Sequence, residues 1–293
     1  MAIGSKNPIL GIIGGSGIYD IEGVEDIRVE SVVSPFGPPS DDLVFGNLMG
    51  QEVVFLPRHG RGHHIPPSDI NYRANIDVMK RAGCTEILSL SAVGSLKEEL
   101  CPGTFVIVDQ FIDRTFDRKK SFFGKGLVAH VSMADPVCGR LGGLIQRAAT
   151  KIRLPIVRGG TYLVMEGPQF SSRAESELYR SWNCDVIGMT NMPEAKLARE
   201  AEMCYATVAM VTDYDCWHLE HDDVNVETVI DVLHKNAATA KELLKALIPM
   251  ISERKTSCAM GCHQALAKAI VTPKEARDPN MVKKLDAVAD GYL

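Results

Sequence analysis

The chain alternates short apolar runs with amphipathic stretches, and this alternation is its clearest structural signal. Each apolar run has the length and the β-branched residues of a buried strand and gives way to a polar or glycine-rich segment. These runs predict strands at 8–17, whose last residues form a glycine-rich turn, and at 53–56, 86–91, 104–108, 160–165, 185–189 and 204–211.

Helical periodicity fills several of the stretches between the strands. Apolar residues recur every four positions over 70–82, and Gly83 is a natural helix end. Further helices are predicted at 136–151, from about Ser172, from Pro193, and along an amphipathic stretch that Asn225 would cap. Strands that alternate with helices in this way predict an α/β fold. We expect one domain over 1–252, followed by a polar, weakly patterned arm at 253–293 that packs on this domain or on a neighbouring subunit.

Two carboxylates stand where the last predicted strand ends. Asp213 and Asp215 follow the apolar run 204–211 and are two residues apart. In an extended segment such residues point the same way, so both could face one pocket at the carboxyl end of the strand. An aspartate-rich turn that merely ends the strand is the alternative.

Other strand ends also carry polar groups. The first predicted strand runs into GGSG, where Ser16 offers a hydroxyl and glycines allow close approach to an anion. Arg58 and His59 follow the strand at 53–56, and arginine suits bidentate phosphate binding. The glycine turn lacks the dinucleotide fingerprint because Asp20 occupies the last glycine position, which argues against a dehydrogenase.

Metal sites are not predicted from the sequence. His59, His63 and His64 lie in a glycine- and proline-rich segment without ligand spacing on a helix, so an anion site or a lid loop fits better. Cys258 and Cys262 are the only close cysteines among eight, and no second pair accompanies them along the chain. A local disulfide between them stays open, although a reducing cytosol disfavours it.

Composition further limits the class of protein that this chain can be. The 293 residues carry a net charge of −5, which argues against a nucleic-acid binder, and the cluster 118–120 is interpreted as solvated surface. No apolar run reaches the roughly 20 residues of a membrane span, and the amino terminus shows no signal-peptide pattern. These features predict a cytoplasmic protein. The charged segment 109–126 is predicted to be a long irregular loop, and such loops are often functional.

Seven motifs in order and spacing resemble the trimeric purine nucleoside phosphorylase family. The resemblance covers about residues 8–250 and does not extend with confidence into the tail. It implies a single-domain nucleoside phosphorylase fold with a central twisted mixed β-sheet flanked by helices. The motifs are GIIGGSG, RHGRGH, SAVGSL, PGTFVIVDQFIDRT, EGPQFSSRAES, GMTNMPEAKLAREA and TDYDCW.

The resemblance also implies roles for individual residues. The phosphate site is expected to comprise Ser16, Arg58, His59, Ser91, the backbone of Ala92, and Thr190. The nucleoside is expected to contact Phe170, Ser171, Met189, Asp213, Asp215, Val229 and His130, the last of these donated by a neighbouring subunit. The expected assembly is a homotrimer, or two trimers paired into a hexamer. Inorganic phosphate is a co-substrate, and neither a cofactor nor a metal is implied.

The implied reaction is phosphorolysis of S-methyl-5′-thioadenosine to adenine and 5-methylthioribose 1-phosphate. A carboxyl group with a raised pKa can protonate the purine as the glycosidic bond breaks, and Asp213 is the candidate. Asp215 would accept from the amine of adenine, whereas relatives that use 6-oxopurines carry asparagine and glutamate at the positions of Asp213 and Ser171. The alternatives are the same reaction on methylthioinosine, adenosine or inosine, and, more remotely, a nucleoside-binding protein without turnover.

Overall fold

A computed structural model of the chain describes residues 8–15, 23–218, 226–252 and 257–293. Within the helix 226–252, side chains are described from 231 to 251. Eleven strands in this part of the chain form one mixed sheet. They are β1 (Ile9–Gly14), β2 (Val24–Glu30), β3 (Leu43–Leu48), β4 (Gln51–Pro57), β5 (Cys84–Ser95), β6 (Phe105–Ile107), β7 (Gln110–Asp113), β8 (Ile156–Arg158), β9 (Thr161–Val164), β10 (Val186–Gly188) and β11 (Cys204–Asp213).

The middle of the sheet is parallel and buried. β1 lies between β4 and β5, parallel to both, and β5 is also parallel to β11. Their registers pair Ile12 with Phe55 and with Leu88, and all three side chains are buried. Because parallel strands end on the same side, the carboxyl ends of these four strands meet at one edge. β2, β3, β6 and β10 add antiparallel pairings, so the sheet is mixed as expected.

Helices cover the sheet, and side-chain caps mark the starts of some of them. Asn71 accepts a hydrogen bond from the first turn of the first helix, and Ser172 with Glu175 forms a complete capping box on the third. The helices are α1 (Tyr72–Arg81), α2 (Gly139–Lys151), α3 (Arg173–Ser181), α4 (Asn191–Glu200), α5 (Val226–Ser252) and α6 (Pro279–Lys284). The five helices predicted from periodicity are present, while Asn225, predicted to cap α5, lies outside the described residues.

Four strands, β2, β3, β7 and β8, were not predicted, although β3 reads LVFGNL and contains a short apolar run. β2 is almost wholly exposed and reads VEDIRVE, and β8 has three residues of which two are exposed. β7 lies inside the segment 109–126, so the prediction of a continuous irregular loop there was wrong. It pairs with β9 through backbone hydrogen bonds, which a sequence pattern does not reveal. No helix in the described ranges is long and apolar enough to cross a membrane.

The carboxyl-terminal residues 257–293 pack against the same body. Leu285, Val288 and Ala289 are buried within the hydrophobic core that also contains β1 and α4 residues. Ile270 forms a β-bridge with Ala129, so the tail runs beside the segment that contains His130. The tail is therefore part of the folded body of this chain rather than a free extension.

Candidate active site

Arg58 follows β4 and enters a buried polar centre. Its side chain is 2% exposed and its Nε donates to Glu194 Oε2 at 2.8 Å. Its Nη2 donates to Ser89 Oγ at 2.6 Å and its Nη1 to the Leu90 carbonyl at 3.1 Å. Burial alone would lower the pKa of Arg58, but the Glu194 carboxylate raises it above its usual range. The guanidinium is thus a fixed cation at the carboxyl ends of the central strands.

Glu194 lies in the first turn of α4 and belongs to a continuous hydrogen-bond network. The Tyr205 hydroxyl donates to Glu194 Oε1 at 2.9 Å, and the Asn191 amide donates to Ser89 Oγ at 2.8 Å and to Tyr205 at 2.9 Å. Thr207 in turn donates to Asn191 at 3.0 Å. These bonds join α4 to β5 and β11 beneath the site, and they give each buried polar side chain a partner.

Replacing Glu194 by glutamine is expected to destabilise the protein strongly. The change leaves the buried Arg58 cation without its counter-ion, and breaking a buried pair in this way typically costs about 3–5 kcal/mol. The free energy of unfolding from urea titration at neutral pH measures the loss. Glu242→Gln is the control, because the Lys245–Glu242 pair is exposed and worth at most about 1 kcal/mol. Equal losses in the two variants would contradict a structural role for the Arg58–Glu194 pair.

Three hydroxyl groups gather beside Arg58. Ser91 Oγ lies 3.1 Å from Thr190 Oγ1 and 2.9 Å from the Tyr162 hydroxyl. Gly188 makes this approach feasible, because a Cβ there would lie 2.1 Å from the Tyr162 oxygen. The structure therefore brings Arg58, Ser91 and Thr190, all predicted to bind phosphate, to one edge of the sheet. Ala92 follows Ser91 in β5, whereas Ser16 lies outside the described residues.

His59 is buried next to this cluster. Its Nδ1 lies 2.9 Å from the Ile65 carbonyl oxygen, and its ring stacks on His63 with 4.1 Å between centroids. Burial, reinforced by the charge of Arg58, lowers the pKa of His59 to about 4. The imidazole is therefore neutral at pH 7. Because a carbonyl oxygen only accepts, Nδ1 carries the hydrogen and Nε2 is the acceptor.

Asp213 and Asp215 lie together, although not for the reason that their spacing suggested. Asp213 is the last residue of β11, and Asp215 has a left-handed φ of 52° in the turn that follows. The prediction of an extended segment was therefore wrong: a tight turn folds Asp215 back, and its N–H donates to Asp213 Oδ1 at 2.8 Å. Thr212 donates to the other oxygen at 2.7 Å.

The surroundings of both carboxyl groups raise their pKa above the ordinary value of an aspartate. Burial raises the pKa of Asp213, and burial together with the charge of Asp213 raises the pKa of Asp215. A Cβ on Gly94 would lie 2.9 Å from Asp213 Oδ1 and 3.4 Å from Asp215 Cβ, so only glycine leaves room there. The carboxylates thus lie against β5, three residues beyond Ser91.

The turn after β9 closes another side of the site. Cys216 donates to the Ser171 carbonyl at 3.3 Å and Arg173 donates to the Cys216 carbonyl at 2.9 Å, which joins this turn to the one that carries Asp215. Phe170, in the same turn, is 48% exposed. Ser171, predicted to contact the nucleoside, is therefore next to Asp215, and Phe170, also predicted to do so, precedes it in the same turn.

Arg118 corrects one prediction, because it does not lie on a solvated surface. Its side chain is 1% exposed, and its Nε donates to Glu166 at 2.9 Å. Its Nη1 donates to the carbonyl oxygens of Met189 at 2.6 Å and Met192 at 2.7 Å. Burial alone would raise the pKa of Glu166, but hydrogen bonds from Ser68, the backbone and Arg118 lower it to about 2. Arg118 thus fixes the segment that carries Met189 and Thr190.

Two predicted residues are not brought to this cluster by the described part of one chain. His130 is exposed, and its N–H donates to the Ala269 carbonyl at 2.9 Å. Val229 belongs to the first turns of α5, where side chains lie outside the described part. Their predicted contacts with the nucleoside stay predictions.

Glu194, Tyr162 and Arg118 are the main site residues that sequence reasoning missed. An acidic residue in the first turn of a helix, as at Glu194, is commonplace and gives no distinct signal. Arg118 sits in a charged run of the kind that is usually solvated. Sequence spacing also gave no sign that Cys138 and Cys204, distant along the chain, lie beside Cys258 and Cys262.

Comparison with known proteins agrees with this geometry. Residues 9–249 match the family model of the phosphorylase superfamily. An S-methyl-5′-thioadenosine phosphorylase of Rhodospirillum rubrum is 61% identical over 288 residues, which cover 98% of each chain. One of Geobacter sulfurreducens is 52% identical over 97% of this chain and 99% of its own. These alignments include most of the tail, which the sequence resemblance had not reached.

Solved structures extend the comparison to three dimensions. A methylthioadenosine phosphorylase from an antarctic soil metagenomic library has a TM-score of 0.90 at 46% identity, covering 97% of this chain and 99% of its own. A mutant adenosine/methylthioadenosine phosphorylase of Schistosoma mansoni, solved in complex with methylthioadenosine, has a TM-score of 0.83 at 37% identity. That match covers 92% of this chain and 99% of the other.

Proposed function

This chain belongs to the phosphorylase superfamily, and on that premise we propose that it catalyses the phosphorolysis of S-methyl-5′-thioadenosine. The products are adenine and 5-methylthioribose 1-phosphate. The observation that carries the proposal is the spacing along β5, where Ser91 contacts Thr190 and Gly94 contacts Asp213. At about 3.3 Å per residue, three residues span about 10 Å, which suits a phosphate at one end and a purine at the other.

The phosphate would be held by Ser16, Arg58, His59, Ser91, the Ala92 backbone and Thr190. Hydroxyls, one buried cation and backbone amides are the groups that hold an oxyanion in line without a metal. With Nε2 of His59 as an acceptor, the imidazole would bind a protonated phosphate oxygen, or take up a proton when the dianion binds. Fixed donors of this kind need little reorganisation as the glycosidic bond breaks.

The base would be recognised by the two carboxyl groups. As the bond to C1′ breaks, electron density moves onto the purine, and protonation at N7 makes adenine a better leaving group. A raised pKa keeps a proton on Asp213 to higher pH, as a general acid requires. Asp215 would accept from the 6-amino group. A 6-oxopurine would instead set its carbonyl oxygen against an acceptor.

The remaining predicted contacts surround the sugar. Met189 would pack on the ribose, with its backbone held by Arg118, and Phe170 and Ser171 would lie beside the base. Val229 and the His130 of a neighbouring subunit would enclose the 5′ substituent. Because the Schistosoma mansoni relative is described as an adenosine/methylthioadenosine phosphorylase, adenosine is the second candidate substrate. The size of the group that fits the 5′ pocket separates the two.

We infer that the working unit is a homotrimer, or two such trimers paired. The resemblance implies that His130 reaches the site of a neighbouring subunit, and His130 is exposed on its own chain. His130→Ala is expected to raise KM for methylthioadenosine several-fold while leaving KM for phosphate unchanged. Light scattering would measure the mass, and initial rates the two KM values. Full wild-type activity in a preparation of monomers would contradict this assembly.

We also infer that the reaction takes place in the cytoplasm. The eight cysteines are free thiols in the structure, as is usual in a reducing compartment. The partners are small molecules, a nucleoside and inorganic phosphate. Neither nucleic acid nor a membrane surface enters the proposed reaction.

Analysis of the products tests the proposed function. Methylthioadenosine and excess phosphate are incubated with the protein, and the mixture is separated by liquid chromatography with mass detection. Adenine and 5-methylthioribose 1-phosphate are expected in equal amounts. Adenine together with free methylthioribose would identify a hydrolase instead. Absence of turnover with intact binding of the nucleoside would favour a binding protein.

A further inference from the structure

We propose that Cys138, Cys204, Cys258 and Cys262 form a binding site for one zinc-type divalent cation, distant from the reacting groups. All four side chains are buried, and their sulfur atoms lie within 4.8 Å of one another. The sulfur of Cys258 lies 3.6 Å from that of Cys138 and 3.8 Å from that of Cys262. With Zn–S bonds of about 2.3 Å, a tetrahedral shell separates its sulfurs by about 3.8 Å.

Backbone geometry directs these sulfurs to one point. Cys138 precedes α2 as its N-cap and Cys204 begins β11, and the Cys138 N–H donates to the Tyr205 carbonyl at 2.8 Å. Cys258 and Cys262 flank a tight turn in which Gly261 has a φ of 69° and donates to the Cys258 carbonyl. Three intervening residues lie within the spacing of structural zinc sites. The amino terminus of α2 also favours a thiolate at Cys138.

Charges around the cluster suit a tetrathiolate site. When four thiols bind a divalent cation, four protons leave and the site keeps a net charge of −2. Arg199 Nη1 lies 3.9 Å from the Cys262 sulfur, and Arg140 lies beside Cys204 and Cys258. Arg140 also pairs with Glu86 at 2.7 Å, yet its buried Nε has no hydrogen-bond partner among the described residues. Two arginines therefore flank the negative charge that metal binding would create.

Separation of the sulfurs argues against a disulfide as the resting state. A disulfide bond has an S–S length of about 2.05 Å, and the cysteines here are free. Four soft ligands without water access describe a closed structural site rather than a catalytic one. Such a site would attach the tail to β11 and α2. Because Ala269 accepts from the N–H of His130, the metal would also steady the segment that we expect to reach a neighbouring subunit.

Metal analysis of the purified protein tests this inference. Mass spectrometry of metals is expected to find one zinc per chain after dialysis. Protein that is unfolded with chelator and refolded with Co²⁺ should show the visible bands of a tetrahedral tetrathiolate complex. Cys258→Ser and Cys138→Ser should lose these bands and most of the zinc, and unfold at lower temperature. Cys84→Ser and Cys184→Ser are the controls, since both are buried cysteines outside the cluster and should keep one zinc.

Two outcomes would overturn the inference. One is reduced wild-type protein that contains no zinc and gives no cobalt bands on refolding. The other is a disulfide between any two of the four cysteines in peptides from unreduced protein, since that would assign the cluster to redox chemistry. If the cluster variants do not fold, zinc content and the cobalt spectrum of the wild type decide.

Discussion

Asp213→Asn is expected to lower kcat/KM for methylthioadenosine by about a hundredfold, the lower end of what a general acid contributes. Asparagine keeps the shape of the side chain but removes the proton that we assign to N7 of the purine. The reaction of methylthioinosine should fall much less, because the amide can donate to O6. The ratio of kcat/KM for methylthioadenosine to kcat/KM for methylthioinosine should therefore be smaller in the variant than in the wild type.

The comparison depends on how strongly the wild type prefers methylthioadenosine to methylthioinosine. Sites built around a buried hydrogen bond reject mismatched analogues by up to about four or five powers of ten. A protonated carboxyl group can donate to O6 and soften the rejection, so we expect a preference for methylthioadenosine of at least about a hundredfold. The measurement is kcat/KM for both nucleosides in both proteins. Equal wild-type values would refute the adenine assignment, and an unchanged ratio in Asp213→Asn would remove Asp213 from base recognition.

Arg58→Ala is expected to reduce kcat/KM by two to three powers of ten. Removing one preorganised donor for transition-state charge costs about 3–4 kcal/mol, and each 1.36 kcal/mol is tenfold. In the structure, most N–H groups of the Arg58 guanidinium already donate to Glu194, Ser89 and the Leu90 carbonyl. Few of its N–H groups remain for phosphate, so much of its effect would come from the fixed charge.

Because Arg58→Ala leaves Glu194 buried and unpaired, it can also destabilise the fold. The double variant Arg58→Met with Glu194→Gln removes both charges and keeps most of the volume, so it separates the two effects. Initial rates against phosphate concentration are compared for the wild type, the Glu194→Gln variant and the double variant. A direct role for Arg58 is supported if the rate no longer saturates with phosphate in the double variant but still does so in Glu194→Gln. Unchanged phosphate dependence would remove Arg58 from the site.

The central strands of the sheet could be predicted from the sequence because each is marked by a local run of apolar residues. β1, β4, β5 and β11 are apolar runs that end in polar or glycine-rich residues, and burial on both faces explains that composition. β2 and β7 mix apolar with charged or polar residues, and each pairs with a neighbouring strand through its backbone. Their existence depends on tertiary structure, which periodicity does not record.

The residues of the candidate site also differ in whether a local sequence pattern predicts them. Asp213 and Arg58 were predicted because each lies two residues beyond the end of a predicted strand. Glu194 and Arg118 could not, because their roles depend on ion pairs across 136 and 48 residues of chain. The four cysteines were likewise counted correctly, but only folding brings Cys138 and Cys204 to the other pair. Long-range pairing of charged and sulfur-containing side chains is the information that the sequence pattern lacked.

The most direct test of phosphorolysis is the rate of adenine release from methylthioadenosine with and without phosphate, followed by ultraviolet absorbance. Phosphate is removed beforehand by dialysis into a buffer that contains no other oxyanion. We expect a rate that rises with phosphate to saturation and falls to background when phosphate is absent. An equal rate in phosphate-free buffer would show that water is the nucleophile and would contradict the assignment as a phosphorylase.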